Sequence, residues 1–316
     1  MEIDQPRQKL FTSHPLKIAC IGEAMLELSL GSDLSKPQLG FAGDTLNTAI
    51  YLRRCLSSDH EVAFVSRVGK DMLSETMLAF IESESITTRH ISKVGGRSPG
   101  LYAISTDQYG ERSFSYWREN SAARLLFQDG TDANFDQLAG FDILYLSAIS
   151  LAILPNTIRL KLLDWIKQYR ARGGITIFDS NYRPQLWESK SVAQEIISAA
   201  WANCDIALPS LEDELTLFED NDEASVIHRL NQLGIKMGVL KRGEKGPMPL
   251  GSHKLQDHNF LPVQEIVDST AAGDSFNGAF IGALITGQSH EDAILAGHLC
   301  ASKVLQFKGA IIPVSE

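Results

Sequence analysis

Asp274 closes a run of very small residues, Ala271-Ala272-Gly273, and opens a stripe in which Phe276, Ala279, Phe280, Ala283 and Leu284 recur at helical spacing. A helix is therefore expected to begin near Ala272. The backbone N–H groups of Ala271, Ala272 and Gly273 lack intrahelical partners there, their side chains leave room for close approach, and the helix dipole favours negative charge. A phosphoryl group in transfer suits such a place. A carboxylate in the same turn would repel a phosphate unless the chemistry needs it, and a general base for an alcohol nucleophile is such a need. The plainer alternative makes Asp274 an acidic first-turn residue that stabilises the helix and Gly273 a turn former.

The elements that must position these groups read as an α/β chain. Lys17 to Ile21 is an apolar strand ending at Gly22-Glu23. Asp44 is placed to N-cap a helix whose stripe begins with Leu46, Ala49 and Ile50. A strand from Glu61 to Ser66 leads to Gly69 and Asp71, a turn and its cap. Gly100 to Ser105 and Arg112 to Arg118 alternate around a turn at 107–111, which predicts a β-hairpin. Tyr102 and Ile104 share one face, Tyr116 and Arg118 likewise share a face of their strand, and Trp117 is expected to pack the ribbon against the body. Ile143 to Ser147, a helix opened by Pro155 and closed by Gly173-Gly174, and then Ile175 to Asp179 form a βαβ unit, which predicts a parallel sheet. Ligands of open parallel sheets gather beyond the carboxyl ends of the strands, where Asp179-Ser180-Asn181-Tyr182-Arg183-Pro184 falls. A further strand ends near Leu208, before Ser210 and an acidic helix start at Glu212 to Glu214. Met237 to Leu240 runs through Lys241 into a Gly243 to Gly246 turn, and Pro247 and Pro249 predict an edge strand or a distorted loop.

A chain of 316 residues, 44% hydrophobic, is long enough for one large α/β domain or two small ones. The net charge of −10 and the absence of a basic cluster with interleaved aromatics argue against a nucleic-acid partner. Cys20, Cys55, Cys204 and Cys300 lie far apart without metal-ligand spacing, as expected of buried thiols in a reducing compartment. No run reaches transmembrane length and the first residues carry no apolar leader core, so a soluble, cytoplasmic protein without a membrane partner is expected. There is no Walker A sequence, internal repeat or low-complexity tract.

Asp268, Thr270, Ala272, Gly273, Asp274 and Phe276 together resemble the signature D-T-x-G-A-G-D-x-F of the ribokinase-like, pfkB-type carbohydrate kinases, with Ala271 where many members have glycine. Further segments resemble the family: Gly43, Asp44 and Asn47 match G-G-x-x-x-N-x-A, Ala42 replacing its first glycine, and Asn181, Arg183, Leu186 and Trp187 match D-x-N-x-R-x-x-L-W. The resemblance implies a three-layer α/β/α domain over residues 16–316 with a mainly parallel sheet. It also implies a small β-sheet lid from about 24–41 and 97–120, and residues 1–15 read as a disordered extension. It implies ATP with Mg²⁺ as phosphoryl donor, a monovalent cation in some members, and self-association through the lid. Asp274 becomes the base, with Ala271, Ala272 and Gly273 as the anion site. Asn181, Ser210, Lys241, Gly243, Gly246, His298 and Ser302 fall at the nucleotide. Ser210 and Asp213 stand where many relatives have N-x-x-E near Mg²⁺-bound water, which leaves Asp213 as the candidate on the metal side. The best-matched segments lie nearest the 2-keto-3-deoxygluconate kinases, a branch that uses positions equivalent to Tyr102, Tyr116, Arg118 and Arg183 around a sugar acid. Planar arginine forks suit its carboxylate. Neutral-sugar kinases of fructokinase or ribokinase type, and a non-enzymatic sugar-binding regulator of the same fold, are the alternatives.

Overall fold

The computed structural model describes residues 14–30, 35–106, 112–129, 132–252, 260, 263 and 265–313. The expected N-terminal extension lies almost wholly outside the described residues, as does the turn of the predicted hairpin.

In chain order the strands are β1 (Lys17–Ile21), β2 (Met25–Leu30), β3 (Gln38–Ala42), β4 (Glu61–Val68), β5 (Ile91–Lys93), β6 (Gly100–Thr106), β7 (Arg112–Trp117), β8 (Gln128–Asp129), β9 (Asp132–Ala133), β10 (Ile143–Ser147), β11 (Ile175–Asp179), β12 (Ile206–Leu208), β13 (Met237–Leu240) and β14 (Met248–Gly251). Among the described residues, eight of them form one sheet in the order β14-β13-β12-β11-β10-β1-β4-β5. Every pair in it is parallel except the edge pair β13 and β14. Pro247 and Pro249 fall at that edge, where a missing ladder donor is tolerated.

The helices are α1 (Asp44–Cys55), α2 (Met72–Ser83), α3 (Ala148–Ala152), α4 (Asn156–Ala171), α5 (Lys190–Ala202), α6 (Leu211–Phe218), α7 (Glu223–Gln232), α8 (Ala272–Ile285) and α9 (His290–Val304). Alternation along β1 and β10 divides them into two layers. Ala19, Ile21, Leu144 and Leu146 face a core built with α3 to α7. Ile18, Cys20, Ile143 and Tyr145 face a second core built with α1, α2, α8 and α9. Strands buried on both faces read as continuous apolar runs, and Ile-Leu-Tyr-Leu in β10 is one.

A second sheet carries β3-β2-β6-β7, with β2 and β6 parallel and the outer pairs antiparallel. Its inner face packs Met25, Tyr102 and Ile104 with Ala42 and Ala310, and Ala271 lies against that cluster. The small sheet therefore reaches the first turn of α8. Trp117 departs from expectation: it pairs with Leu101 on the outer face and is 58% exposed. The reason is parity, since Tyr102 and Tyr116 take the inner face. Cys20 and Cys204 are buried as expected, whereas Cys55, at the last turn of α1, is exposed.

Candidate active site

The α8 start matches the prediction to the residue, and its backbone is unusual. Ala271, the N-cap, has φ 60° and ψ 14°, a left-handed conformation that costs a residue with a Cβ. Asp268 braces the turn, its two carboxylate oxygens accepting from Thr270 N (2.9 Å) and Gly309 N (2.6 Å). Ala271→Gly is expected to stabilise the protein by about 1 kcal/mol, roughly 2 °C in Tm, because glycine adopts this φ without penalty. A calorimetric scan checks this, and a lowered Tm would contradict the strain.

A Cβ built on Gly273 would meet no neighbour within 4 Å except the Lys241 Nζ at 3.6 Å. The space beside Gly273 is thus open with one ammonium at its edge, while the Ala272 N–H, expected free, donates to the Ser269 carbonyl at 3.3 Å. Asp274, in the same turn, is buried, and Asn47 donates to its Oδ2 at 2.9 Å. Burial first, then the nearby charge of Asp44, push its carboxyl up to about 7, while the Asn47 hydrogen bond pulls the other way. A base titrating near neutrality is matched to its task.

Asn47 stands one turn into α1. The helix was expected to be capped by Asp44, but the cap is Gly43 and Asp44 is the first helical residue. The cause is close approach: a Cβ on Gly43 would lie 2.1 Å from the Glu23 carbonyl oxygen. Freed from capping, the Asp44 carboxylate accepts from Ser147 Oγ at the end of β10 and from Asn181 Nδ2 (3.0 Å). Burial raises its pKa as well. Asn181, expected at the nucleotide, therefore hydrogen-bonds Asp44, a residue expected at the sugar.

A carboxylate that sequence reasoning passed over organises the other flank. Asp179, buried at the end of β11, accepts from Lys241 Nζ (2.8 Å) and Asn277 Nδ2 (2.9 Å). Tyr145 bridges Asn277 and Thr48, whose hydroxyl donates to the Asp274 carbonyl (3.2 Å). Asn277 lies three residues after Asp274 on the same helix, so the i, i+3 spacing carried a usable signal. Ser210 bridges Lys241 in parallel register, and the Ser180 hydroxyl accepts from its N–H.

The two arginines do not stand free. Arg118 lies one residue beyond β7 and is buried, its Nε (2.9 Å) and Nη2 donating to Glu23, itself 1% exposed. It joins the base of the small sheet to the end of β1 instead of continuing the Tyr116 face. Arg183 has a 47% exposed side chain and lies 3.5 Å from Asp213 Oδ1. Asp213 Oδ2 accepts from Ser180 Oγ and Tyr182 N, both at 3.2 Å. Its carboxylate is thus engaged by the 180–183 loop, and the described residues contain no group of three or more acidic, histidine or cysteine side chains fit to hold a metal. On the inner face of the small sheet Tyr102 donates to Glu27, and its ring centroid lies 5.8 Å from that of Tyr116.

Gly243 and Gly246 flank a 3-10 turn with positive φ at both, and Arg242 ties it by donating to the Gly246 carbonyl at 2.9 Å. A Cβ on Gly246 would strike Phe260 at 2.6 Å, and Phe260 meets His298 edge-on at 4.8 Å. His298 and Ser302 sit one turn apart on α9, so the turn, Phe260 and α9 line one wall.

The sequence profile of the pfkB family carbohydrate kinases matches residues 15–316. The chain belongs to the pfkB family. This pfkB kinase is 43% identical over 303 residues to the 2-dehydro-3-deoxygluconokinase of Escherichia coli strain K12, covering 94% of this chain and 97% of that protein. Identity to the fructokinase of Vibrio alginolyticus is 27% over 266 residues, covering 83% and 82%. The 2-dehydro-3-deoxygluconokinase structure from Thermotoga maritima superposes with a TM-score of 0.79 at 19% identity, covering 95% of this chain and 96% of that one, which establishes the shared fold. As a pfkB carbohydrate kinase it transfers a phosphoryl group from ATP to a hydroxyl group of a sugar.

Proposed function

We propose that the chain phosphorylates 2-keto-3-deoxy-D-gluconate (2-dehydro-3-deoxygluconate) at its terminal hydroxyl, consuming ATP and releasing ADP. The observation that carries the substrate is the 43% identity along nearly the whole of a relative bearing that name, against 27% to a fructokinase.

The mechanism uses this chain's own groups. Asp274 accepts the proton of the terminal hydroxyl as the oxygen attacks the γ-phosphorus; the new P–O bond forms while the bond to the β-phosphate oxygen breaks. The N–H groups of Ala271 and Gly273 face the charge that develops on the transferring group, and that of Ala272, which donates to the Ser269 carbonyl at 3.3 Å, joins them by leaving that long bond. Asp44 and Asn47 hold sugar hydroxyls beside Gly43, Tyr102 and Tyr116 close over the sugar from the small sheet, and Arg183 with Arg118 favours the carboxylate. Ser210, Lys241, Gly243, Gly246, His298 and Ser302 border the nucleotide. Magnesium would arrive with the ATP phosphates and neutralise their charge, and Asp213, which accepts from Ser180 and Tyr182 and lies 3.5 Å from Arg183, is the candidate carboxylate on the metal side. No helix among the described residues is long and apolar enough to cross a membrane, and a cytoplasmic site of action fits the use of ATP. On the outer face of the small sheet Trp117, 58% exposed, stands beside Leu101, an apolar contact suited to a second copy of this chain, whereas on the same face Leu26 is buried and Phe41 packs against the core of the main domain.

Phosphorus–proton NMR of the product tests the reaction: the phosphate should couple to the terminal CH₂ protons, and coupling elsewhere would overturn the regiochemistry. The pH profile tests the base. Activity should rise with pH through about 7 as Asp274 loses its proton. Asn47→Leu removes a hydrogen bond that favours the charged form, so its acid limb should move to higher pH; a limb that stays in place would contradict the assignment.

A further inference from the structure

Paired with the buried carboxylate of Asp179, Lys241 reaches the start of α8. Its side chain is 14% exposed, and its ammonium lies beside the positive end of α8, 3.6 Å from the position a Cβ would take on Gly273. The Asp179 carboxylate offsets the repulsion between the ammonium and the helix end, and an arriving anion is attracted by both. Among the described residues the acceptors of its ammonium are Asp179 Oδ1 (2.8 Å) and Asn277 Oδ1 (3.2 Å). An ammonium has three N–H bonds, so one remains for a ligand. Asp179 is itself held by Asn277, with Tyr145 at 3.5 Å, so the tether is rigid.

We propose that Lys241 is a catalytic residue whose ammonium touches and neutralises the phosphoryl group as it passes from ATP to the sugar, with Asp179 as the residue that positions it. This deepens the kinase assignment and rests on it. Lys241 then acts on charge that grows in the transition state, rather than holding the nucleotide equally in every state.

The test compares Lys241→Met, Lys241→Arg and Asp179→Asn with the wild type. Lys241→Met should lower kcat by about 10²–10³-fold while KM for the sugar changes less than about threefold. Lys241→Arg should recover part of that loss, and Asp179→Asn should cost about tenfold. The acid limb supplies a readout that a purely structural role would not move. Asp274 is faced by Asp44 from α1, Asp179 from β11, Lys241 from the end of β13, the Asn47 amide, and the neutral phenols of Tyr51, Tyr102 and Tyr145. Of these, Lys241 lowers its pKa and Asp179 raises it. The limb should therefore move up in Lys241→Met and down in Asp179→Asn. A loss confined to KM for ATP with kcat intact, or limbs that do not move, overturns the proposal. If Lys241→Met does not fold, Asp179→Asn decides: an unchanged kcat with an unmoved limb overturns it. A wild type inactive on 2-keto-3-deoxygluconate but active on another sugar sinks the substrate assignment alone, because the same comparison then runs on that sugar.

Discussion

Asp274→Asn is expected to reduce turnover by about 10²–10⁴-fold with ATP affinity nearly unchanged, and at the same time to make the protein more stable at pH 8. The first effect follows from removing the proton acceptor while keeping the shape. The second follows from linkage. Burial and the charge of Asp44 raise the folded-state pKa of Asp274 to about 7, far above that of an unfolded carboxyl. The folded state holds this proton more tightly, so the stability it confers is fully present below the ordinary Asp value and is lost as pH rises through about 7. At pH 8 the native protein carries a buried, crowded carboxylate. A neutral asparagine relieves a strain on the order of 2–4 kcal/mol, which thermal unfolding at pH 8 would show as a raised Tm. Near-normal turnover in the variant would remove Asp274 from the chemistry, and a lowered Tm would contradict its electrostatic cost.

Arg183→Leu carries the second large effect, and it is selective. Arg183 is half exposed at the end of a strand–loop junction, so its loss should leave the fold intact. Removing one charge-assisted partner should cost about 1.5–3 kcal/mol, one to two decades in kcat/KM, on 2-keto-3-deoxygluconate and much less on any neutral sugar turned over. Equal losses on both would assign the arginine to phosphate or fold. Arg118→Leu is a different experiment. It strands Glu23, 1% exposed, without its cation, and breaking one side of a buried pair costs about 3–5 kcal/mol of stability. Its effect on substrate choice becomes interpretable in the double variant with Glu23→Gln, where no unpaired charge remains.

Much of this arrangement was legible from the chain. The small-residue turn before Phe276 located the start of α8, and the strand–helix–strand pattern around Pro155 located the parallel sheet and the end at which Asp179 to Arg183 lies. The prolines at 247 and 249 pointed to an edge strand or a distorted loop, and the edge strand is what forms. Partners across long sequence separations were not legible. Nothing local says that Arg118 turns inward to Glu23, 95 residues earlier, or that Asn181 bonds Asp44, 137 residues away. Trp117 was assigned to the wrong face because an aromatic side chain reads as core, whereas register with Leu101 places it outside. The exchange of the cap from Asp44 to Gly43 had the same origin, the backbone carbonyl of Glu23 brought in from the connection between β1 and β2.

The most direct measurement of the central claim is ADP release by the wild type in a coupled assay with 2-keto-3-deoxygluconate, 2-keto-3-deoxygalactonate, fructose and ribose. The account predicts kcat/KM on 2-keto-3-deoxygluconate at least about a hundredfold above that on fructose or ribose, since the neutral sugars forgo the charged contact. A preference for fructose or ribose would contradict the substrate assignment, and no ADP release with any sugar would contradict phosphoryl transfer to sugar with Asp274 as the base.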